Sequence, residues 1–335
     1  MIRFLHDIQY KLLFVAFLLI SNFSVAQIYV GAWNPIRYPN TGTCGWAYQD
    51  DGAAGTSTDP YASIEKALSA VIAAGTTNQT VNILPDAYIQ NWDYDSTLTE
   101  IRDNCDGHDL DYAPTITSAL NGLQILGSAS GCLTMLEALG TSNSISFASI
   151  SGASNITISN VYFKGYSQAF TIDNSTNITF NNCVFEACNY GVTSLDGLLI
   201  NSSTSNTSVT FNNCKFVDNN KNTNTNALTI KSTSSTAAVF TTVNFSGCEF
   251  VCNQKDNSGG SVMITGRTIS TATPTTVNFT NGVFANSKAT STAGKGGALF
   301  IGNNSKVTIN GTYFLNNICQ TTGASAANDG GGAIS

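Results

Sequence analysis

The chain has 335 residues, of which 21 are acidic and 14 basic, so 10% of it is charged and the formal net charge is −7. An ordinary soluble domain carries about 25% charged residues. The negative sign excludes a phosphate-neutralising nucleic-acid surface, and a hydrophobic content of 42% excludes a disordered polar chain. Ser, Thr, Asn and Gly replace the missing charge, as in the run Asn201-Ser-Ser-Thr-Ser-Asn-Thr-Ser208. These residues are poor helix formers that suit strands and tight turns, so the composition predicts an all-β protein.

Residues 1–26 read as a signal peptide. Arg3 and Lys11 supply positive charge, Leu12 to Ile20 form an apolar run of nine, and Ser24-Val25-Ala26 places small residues at a cleavage site. The run falls short of the roughly 20 residues that span a bilayer. The implied location is extracellular or at the cell surface. Nine cysteines, at 44, 105, 132, 183, 188, 214, 248, 252 and 319, suit an oxidising compartment. None of them forms a Cys-x-x-Cys pair, and with only His6 and His108 in the chain no zinc cluster is implied.

Residues 27–122 read as an entry and capping region. The helical spacing of Ile64, Ala67, Leu68 and Val71 predicts an amphipathic helix over 60–74. The acidic stretch that follows holds Asp106, Asp109 and Asp111 beside a Gly; alternating Asp residues could hold calcium, although no closing Glu completes a calcium loop. No other cofactor is implied. Trp33, Trp46 and Trp92 read as packing residues of the entry region.

From 123 onward the chain repeats. Asn155-Ile-Thr-Ile-Ser-Asn-Val-Tyr-Phe163 is followed by equivalent segments ending at Phe185, Phe216, Phe250, Phe284 and Phe314. The fourth residues of these copies (Ile158, Phe180, Phe211, Phe245, Phe279, Ile309) are spaced by 22, 31, 34, 34 and 30. Alternation of apolar and Thr or Asn residues is the period of a half-buried strand. The sixth position is Asn160, Asn182, Asn213, Gly247, Asn281 or Gly311, residue types that tolerate the left-handed backbone region, so a one-residue corner is expected there. Positions seven and nine then face inward. A unit this small buries its apolar face only by stacking on its neighbours. The expected fold is therefore a single-stranded, right-handed parallel β-helix with an N-terminal capping helix, the coils running over 123–335 and continuing beyond the last residue. Cys183, Cys214 and Cys248 fall at position seven of consecutive coils, forming an inward column about 4.8 Å apart, either bridged or a row of buried thiols. Cys188 and Cys252 lie on the segments between copies and read as bridge partners.

The motifs Phe216-Val-Asp-Asn219, Phe250-Val-Cys-Asn253 and Phe314-Leu-Asn-Asn317 alternate with Gly259-Gly-Ser-Val262, Gly296-Gly-Ala-Leu299 and Gly331-Gly-Ala-Ile334. This alternation resembles the F-x-x-N and G-G-A-[ILV] repeats of polymorphic outer-membrane proteins, β-helical passengers associated with adhesion. Residues 51–88 resemble the entry unit of pectate-lyase-superfamily β-helices. The resemblance implies a non-catalytic, adhesin-like surface protein whose partners are extracellular glycans or surface proteins, with membrane attachment supplied by sequence not present here. The alternative it raises is a polysaccharide lyase or glycoside hydrolase on the same scaffold. The carboxylates open to that role are Asp173, Glu186, Asp196, Asp218, Glu249 and Asp256, with Arg267 as a base, at non-equivalent positions of the repeat. The Gly-His-Gly and Arg-Ile-Lys motifs of the galacturonan hydrolases are absent from the repeats. No catalytic residue is assigned. The segments 187–207, 219–226, 253–259 and 286–295 vary in length between constant strands and read as binding loops.

Overall fold

A computed structural model describes residues 27–30, 54–57, 61, 64–75, 79–83, 114–128, 133–137, 146–188, 195–219, 226–255, 258–267, 273–291, 295–321 and 332–335. The signal segment, the Asp106, Asp109 and Asp111 cluster, Asp256, the three tryptophans, and Cys44, Cys105 and Cys132 lie outside these residues.

The alternating residues of each repeat form strands that pair, in parallel and in register, with the equivalent strand one coil away. In the first sheet Ile125, Ile158, Phe180, Phe211, Phe245, Phe279 and Ile309 line up strand by strand. That sheet has nine strands, from Gln27–Val30 to Ser305–Asn310. After the corner the chain enters a second, seven-stranded sheet in which Phe163, Phe185, Phe216, Phe250, Phe284 and Phe314 are aligned. A third sheet, also seven-stranded, runs from Thr115–Ile116 to Leu299–Ile301 and stacks Ile150, Ile172, Ile200, Ile230, Ile264 and Ile301. A short fourth sheet joins Gln254–Lys255, Lys288–Ser291 and Ile318–Thr321. The protein is thus an all-β parallel solenoid with one α-helix near its start, consistent with a right-handed β-helix.

Two aromatic columns fill the core. Phe180, Phe211, Phe245 and Phe279 stack face to face at 4.9, 5.0 and 4.9 Å. Phe163, Phe185, Phe216, Phe250, Phe284 and Phe314 do the same, at 4.4–5.3 Å. Rings of one column meet rings of the other edge-on, as Phe245 does with Phe250 at 5.4 Å. Offset stacking along the axis with edge contacts across it satisfies the ring quadrupole in both directions.

Helix α1, Ile64–Ala74, buries Ile64, Ala67, Leu68 and Val71 against the first coil. It begins later than the spacing predicts, because Tyr61 is held in extended pairing with Val30 and its N–H donates to the Tyr29 carbonyl at 2.9 Å. Gly75, at φ +63°, ends the helix by donating to the Ile72 carbonyl.

Two features differ from the expected repeat. Three of the segments read as loops carry strands: Leu198–Asn201, within 187–207, joins the third sheet between Gln168–Asp173 and Leu228–Lys231, and Gln254–Lys255 and Lys288–Ser291, within 253–259 and 286–295, belong to the fourth. Among the described residues a second left-handed corner also follows the second sheet in six successive coils, at Gly165, Ala187, Asp218, Cys252, Asn286 and Asn316. Ala, Asp and Cys at that corner conceal it from a reading based on Gly and Asn.

Phe245 touches four other rings, so Phe245→Ala is expected to lower the unfolding free energy by about 3–5 kcal/mol in urea titration. Val217 sits half-buried in the second sheet beside the inward Phe216. Val217→Ala should cost much less, and equal effects would contradict the two-column core.

Candidate functional site

The first corner sits at Asn160, Asn182, Asn213, Gly247, Asn281 and Gly311, with φ between 51° and 65°. Its side chains interact along the column, the Asn182 amide donating to Asn160 Oδ1 at 3.2 Å. One residue on, the thiols of Cys183, Cys214 and Cys248 are buried and free. Each is turned to the preceding coil, donating weakly to the carbonyls of Ile158, Phe180 and Phe211 at 3.4–3.5 Å. Burial raises the Cys214 thiol far above its ordinary value. Cys248 is raised further, first by its contact with Cys214 and then by burial. These are inert space-filling groups.

Cys188 and Cys252 are also free, and they occupy different positions of the coil. Cys252 is the exposed residue of the second corner. Cys188 is one place further on, buried, with its pKa pushed up to about 12 by desolvation. A bridge between them would need an inward and an outward position to meet, which corrects the bridging expectation.

The position of Cys188 explains the F-x-x-N motif. Asn219 and Asn253 stand there in the next coils, and both are fully buried. The Asn219 amide donates to the Phe185 carbonyl at 2.9 Å, while its Oδ1 accepts from the Cys188 N–H at 2.8 Å. Asn253 likewise donates to the Phe216 carbonyl and accepts from the Asn219 N–H. Asn317 repeats the pattern on Phe284 and Ser287. Each asparagine thus satisfies one donor and one acceptor of the coil before it, at the turn where the strand ladder is interrupted.

Beside this ladder lies a buried polar cluster absent from the sequence reading. Lys255 is 4% exposed, and its Nζ donates to Asn226 Oδ1 at 2.6 Å. Asn226, itself buried, donates through its N–H and its Nδ2 to Asp196 Oδ1 at 2.8 and 3.1 Å, and through Nδ2 to Thr229 Oγ1 at 2.8 Å. Gln168 Nε2 donates to the Asp196 carbonyl, and the Met263 sulfur closes the cluster. Burial lowers the Lys255 pKa from 10.5 to about 8, against a smaller upward pull from Asp196. Gly260 and Gly297 continue the column begun by Asp196 and Asn226. A Cβ at Gly260 would collide with the Gly297 carbonyl, and one at Gly297 with the Gly332 carbonyl. Where the glycines are absent, in the two preceding coils, polar side chains fill the slot.

The other carboxylates bind coil to coil. Asp173 accepts from the Ser203 N–H at 3.0 Å and the Ser203 hydroxyl at 2.6 Å, and Asn174 Oδ1 accepts from the N–H groups of Ser203, Thr204 and Ser205 at 2.8–3.0 Å. Glu186 accepts from the Tyr162 hydroxyl at 2.5 Å, and Glu249 pairs with Lys215 at 3.0 Å. Asp218 is the residue of the second corner. Arg267 is buried, with Nη1 donating to the Thr236 carbonyl at 2.5 Å. Among the described residues no three His, Cys, Asp or Glu side chains are grouped to hold a metal ion.

Asn253→Leu removes a partner from the Phe216 carbonyl and from the Asn219 N–H, and is expected to destabilise by about 1–3 kcal/mol for each buried group left unpaired. In the folded protein a thiol reagent should modify Cys252 at least about a hundredfold faster than Cys183, Cys188, Cys214 or Cys248, read by peptide mapping; rapid labelling of the column would contradict its burial. Comparison with known proteins finds no matching family model, no similar curated protein and no similar solved structure.

Proposed function

We propose that this chain is an exported, non-catalytic, adhesin-like protein: a pectate-lyase-like β-helix with repeats of the polymorphic outer-membrane protein type, presenting its loops to extracellular glycans or surface proteins. The observation that carries the reading is the contrast between a column held in register and the segments of unequal length that link one sheet of it to the next. Between the asparagine ladder and the third sheet, equivalent positions are linked by residues 188–196, 219–226, 253–260 and 287–297, and between the third sheet and the first by residues 200–209, 230–243, 264–277 and 301–307. A rigid scaffold with variable insertions is the arrangement in which recognition resides on loops.

Three further features support it. The apolar segment and small-residue site of residues 1–26 favour export. The loop 203–205 is ordered by Asp173 and Asn174, so its hydroxyl and amide groups are presented in one arrangement, which lowers the cost of binding. Asp173, Glu186 and Glu249, candidates for a lyase or hydrolase centre, are engaged in holding neighbouring residues.

The test is binding of the purified protein to a glycan array and to cultured cells, alongside incubation with a polysaccharide panel with and without calcium. Retention without cleavage is expected, and replacing residues 189–194 and 220–225 with Gly-Ser linkers should weaken it at least about tenfold, or 1.4 kcal/mol, with the melting temperature unchanged. Reproducible cleavage of any polysaccharide would replace this reading with the enzymatic one.

A further inference from the structure

The Lys255, Asn226 and Asp196 cluster brings together an amine, a carboxamide and a carboxylate from three successive turns of the solenoid, with Lys255 and Asn226 buried and Asp196 half-buried. We propose that Lys255 and Asn226 form an intramolecular isopeptide bond, a covalent amide between Nζ and Cγ, with Asp196 transferring the proton.

The geometry supplies what the reaction needs. Lys255 Nζ touches the amide oxygen of Asn226 at 2.6 Å, so the amine lies against the group it attacks. The leaving nitrogen, Asn226 Nδ2, donates to Asp196 Oδ1 at 3.1 Å and to Thr229 Oγ1 at 2.8 Å, which fixes the plane of the amide and places a proton carrier on the atom that must depart. The amine and the carboxamide are shielded from water, since Asn226, Thr229 and Lys255 are buried, while Asp196 is half-buried at the edge of the site. Burial also holds the amine near pH 8 in its titration, so an appreciable share is neutral and nucleophilic under mildly basic conditions.

In the step itself, the neutral Nζ adds to Cγ. The proton that Nζ gives up passes through the Asp196 carboxylate to Nδ2, the Cγ–Nδ2 bond breaks and ammonia leaves. The ammonia takes up the proton first shed by the Lys255 ammonium, so the balance is one ammonium plus one carboxamide giving one secondary amide plus one ammonium ion. No oxidant or cofactor takes part. The new bond ties residues 226 and 255 across adjacent coils, where a backbone excursion otherwise separates them.

The experiment is mass spectrometry of the full chain as purified, with folding verified by its β-sheet circular dichroism. The expected intact mass is short by one ammonia relative to the sequence being measured. Trypsin should then fail to cut after Lys255 and release residues 222–231 joined covalently to residues 232–267. Recovery of the separate peptides 222–231, 232–255 and 256–267 at unshifted mass from the folded protein would overturn the proposal. Lys255→Arg should abolish the cross-linked species. Asp196→Asn, which keeps the size of the side chain, should lower its fraction at least about tenfold at matched times, the order of effect that a proton-transfer group supplies. Equal cross-linking in Asp196→Asn would remove Asp196 from the reaction. Formation of the same species in urea would show that the fold does not direct it.

Discussion

Parallel, in-register stacking at about 4.8 Å per coil places every side chain against its own counterpart in the turns above and below. A residue type is therefore admitted to a column only if it is compatible with itself. Phenylalanine qualifies by offset stacking, glycine by leaving room for a carbonyl, and asparagine because its amide is donor and acceptor at once. Like charges do not qualify. Where charge occurs on the outward face of the second sheet it alternates: Lys164 is paired in register with Glu186, and Lys215 with Glu249 at 3.0 Å. The low charge content is a consequence of this rule, since a run of identical ionised neighbours would repel along the whole column.

Asparagine answers three different problems in the coil. At the first corner it adopts the left-handed backbone that a β-branched residue resists. At 219, 253 and 317 it is interior, carrying the hydrogen bonding past a turn where strand pairing lapses. At 174 a single Oδ1 gathers three loop N–H groups. A rigid, fully satisfied interior of this kind leaves the inserted segments free to vary, because none of the hydrogen bonds that hold coil to coil across the asparagine ladder depends on their length.

The repeat was legible in the sequence to the level of single residues. The spacing of Ile158, Phe180, Phe211, Phe245, Phe279 and Ile309 identified the stacked positions, and the helical stripe of Ile64, Ala67, Leu68 and Val71 is buried as its period requires. The corner residues carried a signal because few residue types accept positive φ. The second corner carried a broken one, since Ala187, Asp218 and Cys252 interrupt the Gly or Asn found at 165, 286 and 316. The same ambiguity misplaced Cys188 and Cys252: the distance from the preceding Phe, three residues in one case and two in the other, decides which points inward.

What the sequence determined by itself is what depends on neighbours along the chain: the strand period, the left-handed corners occupied by Asn or Gly, the amphipathic helix, and the fact that such units must stack. What only the tertiary structure decided is what depends on residues 22 to 39 positions apart meeting across coils. The burial of the F-x-x-N asparagines, the strands Leu198–Asn201, Gln254–Lys255 and Lys288–Ser291 within segments that look like loops, and the contact between Lys255, Asn226 and Asp196 all belong to that class. Local pattern specifies the shape of one turn. The register with which the next turn lands on it selects the partner of every polar group, and that register is set by packing over the whole column.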